Sequence, residues 1–207
     1  TFNACAIETC LDNIPNLSEH FLFANDDTFF DKSISPHYFF TKNGIPLIYL
    51  KYHKKWDKNL LKNDMYFSII AHAFQLVDEK FKNWTGTHCI CAYTKNNLKE
   101  CKKEFCTQFN KTTLSKFRSF DNIQRHIYDF WAIKNRKAKA LYFKNKKKTR
   151  QLYLNIGSFE HMNERLKKYK PFLVCYNDTE KVTQKERGNL KHFLSNRYPQ
   201  KQEWETF

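Results

Sequence analysis

The chain has 207 residues, 41% of them hydrophobic, and sets 36 Lys and Arg against 21 Asp and Glu for a formal charge of +15. That apolar share excludes a disordered chain, and 4 Gly with 5 Pro argue against a fold built from loops. No apolar run approaches the roughly 20 residues that span a bilayer, and the positive charge favours polyanionic partners: phosphate-bearing substrates, nucleic acid or an anionic membrane surface.

The length suits one domain, over residues 1–207, with the 20 Phe and 11 Tyr supplying most of its core. Seven Cys, an odd number with no signal peptide before them, point to free thiols in a reducing, cytoplasmic setting. Helical pattern begins almost at Thr1, so we expect a missing amino-terminal portion. Ala6, Ile7, Cys10 and Leu11 recur at helical spacing, and Pro15 closes that segment. Phe21-Leu22-Phe23-Ala24 is a continuous apolar run, which fits a buried strand, and it leads straight into Asn25-Asp26-Asp27. Asn43-Gly44 signals a turn, and Leu47-Ile48-Tyr49-Leu50 reads as another strand. Lys51 to Lys62, basic with one Trp, reads as solvated.

Tyr66, Ile69, Ile70, Ala73, Phe74, Val77 and Phe81 form one helical stripe, with His72 off it and on the surface. Trp84-Thr85-Gly86-Thr87-His88 breaks that helix. Leu98, Cys101, Phe105 and Phe109 mark a second helix, and Ile123, Ile127, Phe130 and Trp131 a third. Cys89, Cys91, Cys101 and Cys106 make no paired CxxC motif, so structural thiols are preferred to a zinc site. The basic run Lys144 to Arg150 lies between Leu141-Tyr142-Phe143 and Leu152-Tyr153-Leu154 and reads as a hairpin tip, either solvated or directed at an anionic surface. Leu190, Phe193 and Leu194 suggest a last helix that ends before Pro199.

A second apolar run, Phe172-Leu173-Val174-Cys175-Tyr176, ends in Asn177-Asp178. Two such runs suggest neighbouring strands that deliver polar tips to one cleft, at the strand ends where open α/β sheets place their ligands. The adjacent carboxylates Asp26 and Asp27 fit a metal or phosphate site there; Asn-Asp as a simple turn former after each strand is the alternative. The pattern predicts an α/β fold: a mainly parallel sheet flanked by helices. With no helix-turn-helix, zinc-finger or RNP signature, nucleic acid is set aside as a partner.

Taken together, Ala6-Ile7-Glu8, Asn25-Asp26-Asp27-Thr28-Phe29-Phe30, Thr87-His88, Phe117-Arg118-Ser119 and Val174-Cys175-Tyr176-Asn177-Asp178, in this order, resemble the Stealth proteins, the sugar-1-phosphate transferases of bacterial capsule synthesis, related to the lysosomal-enzyme GlcNAc-1-phosphotransferase. Ala6-Ile7-Glu8, Ile14-Pro15-Asn16-Leu17-Ser18-Glu19-His20-Phe21 and Asn25-Asp26-Asp27-Thr28-Phe29-Phe30 look like the family's second block. Thr87-His88 and Phe117-Arg118-Ser119-Phe120-Asp121-Asn122-Ile123-Gln124 look like the third. Val174-Cys175-Tyr176-Asn177-Asp178, Phe193-Leu194 and Tyr198-Pro199 through Trp204-Glu205 look like the fourth. The first block, a strand with a Trp-Val-Asp-Gly core, is absent from these residues. Ala4 stands where a Ser is usual and Cys5 where many bacterial members have His, and the usual Met-Pro after His88 is missing.

The resemblance implies a nucleotide-sugar-transferase-like fold, a UDP-sugar donor, an acceptor glycan, and transfer of a sugar-1-phosphate to a hydroxyl. It implies His88, Arg118 and Asp27 as catalytic residues, Asp26 and Asp27 as ligands to Mg²⁺ or Mn²⁺, and Asn25, Glu8, Asn177 and Asp178 as substrate-binding residues. The residue types suit that chemistry: carboxylates hold the metal that offsets a diphosphate, an Arg fork meets phosphoryl charge, and a His near neutral pKa takes a proton from an alcohol. A metal-dependent glycosyltransferase and an inactive fragment of the phosphotransferase are the alternatives. The charge adds peripheral association with the anionic inner face of the bacterial cytoplasmic membrane.

Overall fold

A computed structural model of the protein describes residues 3–53, 58–144 and 146–200. Helix α1 (Ala4–Glu8) is followed by strands β1 (His20–Phe23), β2 (Thr28–Phe30) and β3 (Leu47–Tyr52). Helices α2 (Lys58–Asn63) and α3 (Met65–Val77) come next, then strands β4 (Trp84–Gly86) and β5 (Cys91–Thr94). Helices α4 (Lys95–Glu104), α5 (Cys106–Leu114) and α6 (His126–Lys134) lead to β6 (Lys139–Phe143), β7 (Gln151–Asn155), α7 (Phe159–Tyr169), β8 (Leu173–Asn177) and α8 (Gln184–Arg197). The fold is mixed α/β. The chain divides into two compact units, Thr1–Ala24 with Ile34–Thr149 and Asn25–Ser33 with Arg150–Phe207.

In the first unit β3 is the middle strand of a sheet ordered β4-β3-β6, antiparallel to β4 and parallel to β6. Ile48 and Leu50 of β3 point into the core and alternate with half-buried neighbours. Against them pack α3, through Ile70, Phe74 and Val77, and α6, through Ile127, Phe130 and Trp131, all buried. Asp64 starts α3 by accepting the Phe67 amide at 3.2 Å, an N-cap that satisfies an otherwise orphaned donor. His72, expected at the surface, is half-buried on this helix, and its Nδ1 is shut away from solvent.

Helix α1 is shorter than its spacing suggests. The Thr9 hydroxyl turns back onto the Ala6 carbonyl at 2.7 Å and meets Thr113 at 2.7 Å, a local bond that competes with helix propagation. Ile7 is consequently 55% exposed, whereas Cys5, Ala6 and Glu8 are buried. The single helix expected over Leu98–Phe109 is broken at Phe105, whose ψ of 37° lies outside the helical range and separates α4 from α5.

β1 corrects another expectation. It pairs with β5 in a two-stranded antiparallel sheet, with Phe21 opposite Tyr93, and is not buried on both faces. Its residues alternate between exposed and half-buried, Leu22 being 41% exposed. A two-stranded antiparallel ribbon has one face for the core and one for water, so a continuous apolar run does not guarantee burial. Phe21 stacks on Tyr93 with ring centroids 5.3 Å apart.

In the second unit β8 is the centre of a sheet ordered β2-β8-β7, antiparallel to β2 and parallel to β7. Leu173, Val174, Cys175 and Tyr176 are all buried, as a continuous apolar run in a central strand requires. Met162 and Leu166 of α7 and Val182 before α8 complete that core, with Leu190, Phe193 and Leu194 of α8 packed against it. Helix α8 opens on a capping box of Thr183 and Glu186. Near its far end Arg197 clasps Asp31, Nε to Oδ1 at 2.6 Å and Nη2 to Oδ2 at 2.8 Å.

Two further expectations change. The sheet is not mainly parallel: among the described strands, β3–β6 and β7–β8 pair parallel, while β1–β5, β2–β8 and β3–β4 pair antiparallel. The strands flanking the basic run make no hairpin. β6 takes β3 as its partner and β7 takes β8, since each buries its apolar side in a different unit's core. Among the described residues no helix is long and apolar enough to cross a membrane. Trp204-Glu205, and Trp56 in the basic segment after β3, lie outside the described residues.

Candidate active-site residues

In the second unit the two Asn-Asp stretches meet. Thr28 of β2 stands opposite Cys175 of β8, and one step further the Tyr176 amide donates to the Asp27 carbonyl at 2.8 Å. The turn that holds Asp26 and Asp27 therefore lies beside the carboxyl end of β8, where Asn177 follows Tyr176. Neighbouring strands do deliver both tips, but the neighbour of β8 is β2 rather than β1. The chain turns after Ala24, with the Thr28 amide donating to the Asn25 carbonyl at 3.2 Å, and β2 leaves that turn alongside β8.

Asn25 and Asp26 are exposed, and Asp27 and Asn177 half-buried. The Asp27 carboxylate accepts the Thr28 hydroxyl at 3.2 Å on one oxygen and the Cys175 thiol at 3.1 Å on the other. The Asn177 amide donates to Asn155 Oδ1 at 3.2 Å. Asp178 is gripped by Arg187, Nε at 2.7 Å and Nη2 at 3.1 Å, which holds its carboxyl below its usual range. Its charge is thus matched by α8, whereas among the described residues the Asp26 carboxylate makes no hydrogen bond or ion pair to a side chain or main chain. Asp26 and Asp27 are consecutive in this turn and carry hard oxygen donors, the donor type that Mg²⁺ and Mn²⁺ select.

In the first unit His88, Arg118 and Glu8 belong to a polar assembly. His88 is half-buried in the short connection from β4 to β5, and the Tyr66 ring lies edge-on to it with centroids 6.1 Å apart. Glu8, 6% exposed, accepts Gln124 Nε2 at 2.9 Å and the Arg125 main-chain amide at 3.1 Å. Burial pushes the Glu8 carboxyl upward, against the bond from Gln124 and the charges of Arg125 and Arg118.

Arg118 is exposed and stands beside Cys5. Burial raises the Cys5 thiol to about 11, and the Arg118 charge works against that rise. The Arg118 loop is tied down from beneath. Asn3 Nδ2 donates to the carbonyls of Ser115 and Phe117 and to Asn122 Oδ1 at 2.8 Å, and Asn122 Oδ1 also accepts the Ser119 amide. Both asparagines are fully buried. A guanidinium held at the surface by a buried amide scaffold can meet an anionic group without dismantling the fold.

Sequence reasoning missed Arg125, His126 and Asp129, which lie buried in and just before α6. Arg125 donates to the carbonyls of Thr87 and Cys89 and to Cys91 Sγ. Burial raises the Asp129 carboxyl to about 7, with the Arg125 charge opposing. Burial also drives the His126 imidazole well below its usual range, with the Arg125 charge acting in the same direction, and neither of its ring nitrogens is hydrogen-bonded. The available signal was three ionisable side chains within five positions of an otherwise apolar stretch.

The family description "Stealth protein CR2, conserved region 2" matches residues 1–48, the stretch that carries Glu8 and Asn25 to Asp27. The chain is 28% identical over 214 residues to the capsular polysaccharide phosphotransferase SacB of Neisseria meningitidis serogroup A, covering 96% of this chain and 38% of SacB. It is 27% identical over 217 residues to the exopolysaccharide phosphotransferase CpsY of Mycobacterium tuberculosis, covering 99% of this chain and 40% of CpsY. An exopolysaccharide phosphotransferase of Nocardia farcinica is 31% identical over 139 residues, 64% of this chain and 28% of that protein. The chain thus spans about two fifths of the length of SacB and CpsY. Residues 1–48 thus match conserved region 2 of the Stealth proteins, and the chain is similar over most of its length to enzymes named phosphotransferases.

Proposed function

We propose that this chain is part of a phosphotransferase that moves a sugar-1-phosphate from a UDP-sugar to a hydroxyl of an acceptor glycan. The acceptor oxygen bonds to the phosphorus bearing the sugar, the bond to the bridging oxygen breaks, UMP leaves and the acceptor proton passes to a base. The observation that carries the reading is the bonding of Asp27 to Cys175 and Tyr176 at the end of β8, just before Asn177–Asp178, in a chain similar to named phosphotransferases. A glycosyltransferase would instead cleave between sugar and phosphate and release UDP.

In this reading Asp26 and Asp27 hold Mg²⁺ or Mn²⁺, which supplies the positive charge that offsets the diphosphate. Asn25, Asn177, Asp178 and Glu8 contribute to substrate binding, Glu8 chiefly by holding Gln124 and Arg125 in place. His88 takes the acceptor proton and Arg118 meets phosphoryl charge with its planar fork. The +15 charge suits a polyanionic product and peripheral association with an anionic membrane surface on its cytoplasmic side.

The test is nucleotide release by the full-length protein. UMP rather than UDP is expected, with a loss of about 10²–10⁴ in kcat for His88→Ala at near-normal donor KM. Arg118→Ala should weaken donor binding as well, and Arg118→Lys should restore little, because a point charge cannot reproduce the fork. UDP as the product, or unchanged turnover in His88→Ala, overturns the reading or its base respectively.

A further inference from the structure

We propose that Arg125 is a positioning residue that fixes the main chain on both sides of His88 and couples it to Glu8. The proposal rests on the reading of His88 as the base. Arg125 is 8% exposed, and among the described residues its guanidinium donates to no carboxylate, a rare arrangement for a buried Arg. Its Nη2 donates to the Thr87 carbonyl at 2.5 Å and its Nη1 to the Cys89 carbonyl at 3.3 Å, the two carbonyls that flank His88. Nη1 also reaches Cys91 Sγ at 2.7 Å, where β5 begins. One rigid fork therefore spans the connection between β4 and β5 that carries the imidazole. The Arg125 main-chain amide donates to Glu8 Oε2 at 3.1 Å, so the same residue links the His88 connection to the end of α1.

Several features set this apart from ordinary loop fastening. A buried cation costs several kcal/mol to desolvate, and a short connection between two strands could be closed by main-chain bonds alone. Here the fork's donors go to carbonyl and thiol acceptors, two of them on the residues that flank one half-buried histidine. Glu8 and Asp129 lie close enough for their charges to interact with that of Arg125. Neither occupies the two donors that hold Thr87 and Cys89. The planar fork is the property in use, and Lys, with a single ammonium, cannot span two carbonyls in this way. A misplacement of about 1 Å in a reacting group costs on the order of 10²-fold in rate.

The experiment compares full-length wild type, Arg125→Lys and Arg125→Gln below their melting temperatures. It reads kcat per folded molecule, donor KM, and hydrogen exchange by mass spectrometry. The expected result is a kcat about 10–100-fold lower, with donor KM within about twofold and faster exchange concentrated in residues 87–90. Wild-type kcat per folded molecule, or a rise in exchange spread evenly over the first unit, overturns the proposal and leaves Arg125 a stabilising residue only. Arg125→Gln keeps one amide donor and stands in if Arg125→Lys does not fold. His88→Ala is assayed alongside: full turnover in that variant removes the base reading, while the local exchange pattern still decides whether Arg125 holds the His88 connection.

Discussion

The Tyr176 amide donates to the Asp27 carbonyl at 2.8 Å, one residue beyond the last β2–β8 pair. A main-chain bond at this point extends the ladder into the acidic turn. The position of Asp26 and Asp27 is therefore set by the backbone, and the Asp26 carboxylate is not consumed in holding its own loop. At the adjacent strand end Asp178 is spent on Arg187 and supports the start of α8. The two Asn-Asp stretches look alike in sequence but differ in what their charges are free to do.

Gly86 ends β4 directly over the buried polar group of α6. A Cβ there would stand 2.9 Å from Asp129 Oδ2 and 3.4 Å from His126 Nε2, both on buried side chains with little room to withdraw. Gly86→Ala is expected to destabilise the protein by about 1–3 kcal/mol, the usual cost of overpacking. Chemical denaturation reads the effect. In an Asp129→Ala background, where the nearest atom is gone, the same substitution should cost less than half as much, and equal costs in both backgrounds would locate the strain elsewhere.

How far the sequence discloses this protein depends on what kind of signal a residue leaves. The Leu173–Tyr176 run is legible because β8 is central and buried on both faces, so every position is apolar. Phe21 to Phe23 is likewise apolar yet lies in a two-stranded ribbon, and partner number is a property of the fold rather than of the run. The meeting of Asn25–Asp27 with Asn177–Asp178 could be anticipated from the doubled pattern. The strand that delivers the first copy could not, because a three-residue strand such as β2 has too short a period to register. Leu141-Tyr142-Phe143 and Leu152-Tyr153-Leu154 look like hairpin arms only while long-range partners are unknown. Arg125, His126 and Asp129 escaped because periodicity reports the face of a helix, and α6 is buried from His126 to Ala132 whatever the face.

Asp31 and Arg197 tie the end of α8 to the segment after β2. The Asp31 side chain is 2% exposed and also accepts the Tyr198 hydroxyl at 3.1 Å. Removing it leaves a partly buried guanidinium and a hydroxyl without their acceptor. Asp31→Ala should cost about 2 kcal/mol, in the range for hydrogen bonds to a charged group. A double-mutant cycle with Arg197→Ala isolates the pair and should give a coupling of at least about 1 kcal/mol. A coupling near zero would mean that α8 is held by its apolar contacts, Leu190, Phe193 and Leu194 among them, rather than by this pair.

Asp129 makes stability depend on pH in the direction opposite to that of a salt-bridged carboxylate. Burial raises its folded pKa from the ordinary 3.8 to about 7, and the Arg125 charge only partly offsets this. As pH rises from about 4 to about 7, the unfolded chain releases this proton while the folded chain retains it. The folded state then binds more protons, so its stability falls across that window and is level again above it. Asn imitates the protonated acid in shape and cannot ionise. The advantage of Asp129→Asn over wild type should therefore be smallest at pH 4.5 and grow toward pH 8 by an amount on the order of a few kcal/mol, from about 1.4 kcal/mol per pH unit. Urea unfolding of both proteins at pH 4.5, 6 and 8 measures the difference, and other titrating groups cancel in the comparison. A gap that does not widen with pH would show that Asp129 is ionised in the folded protein, its charge held by Arg125. The guanidinium would then be paired with a carboxylate as well as with the carbonyls of Thr87 and Cys89.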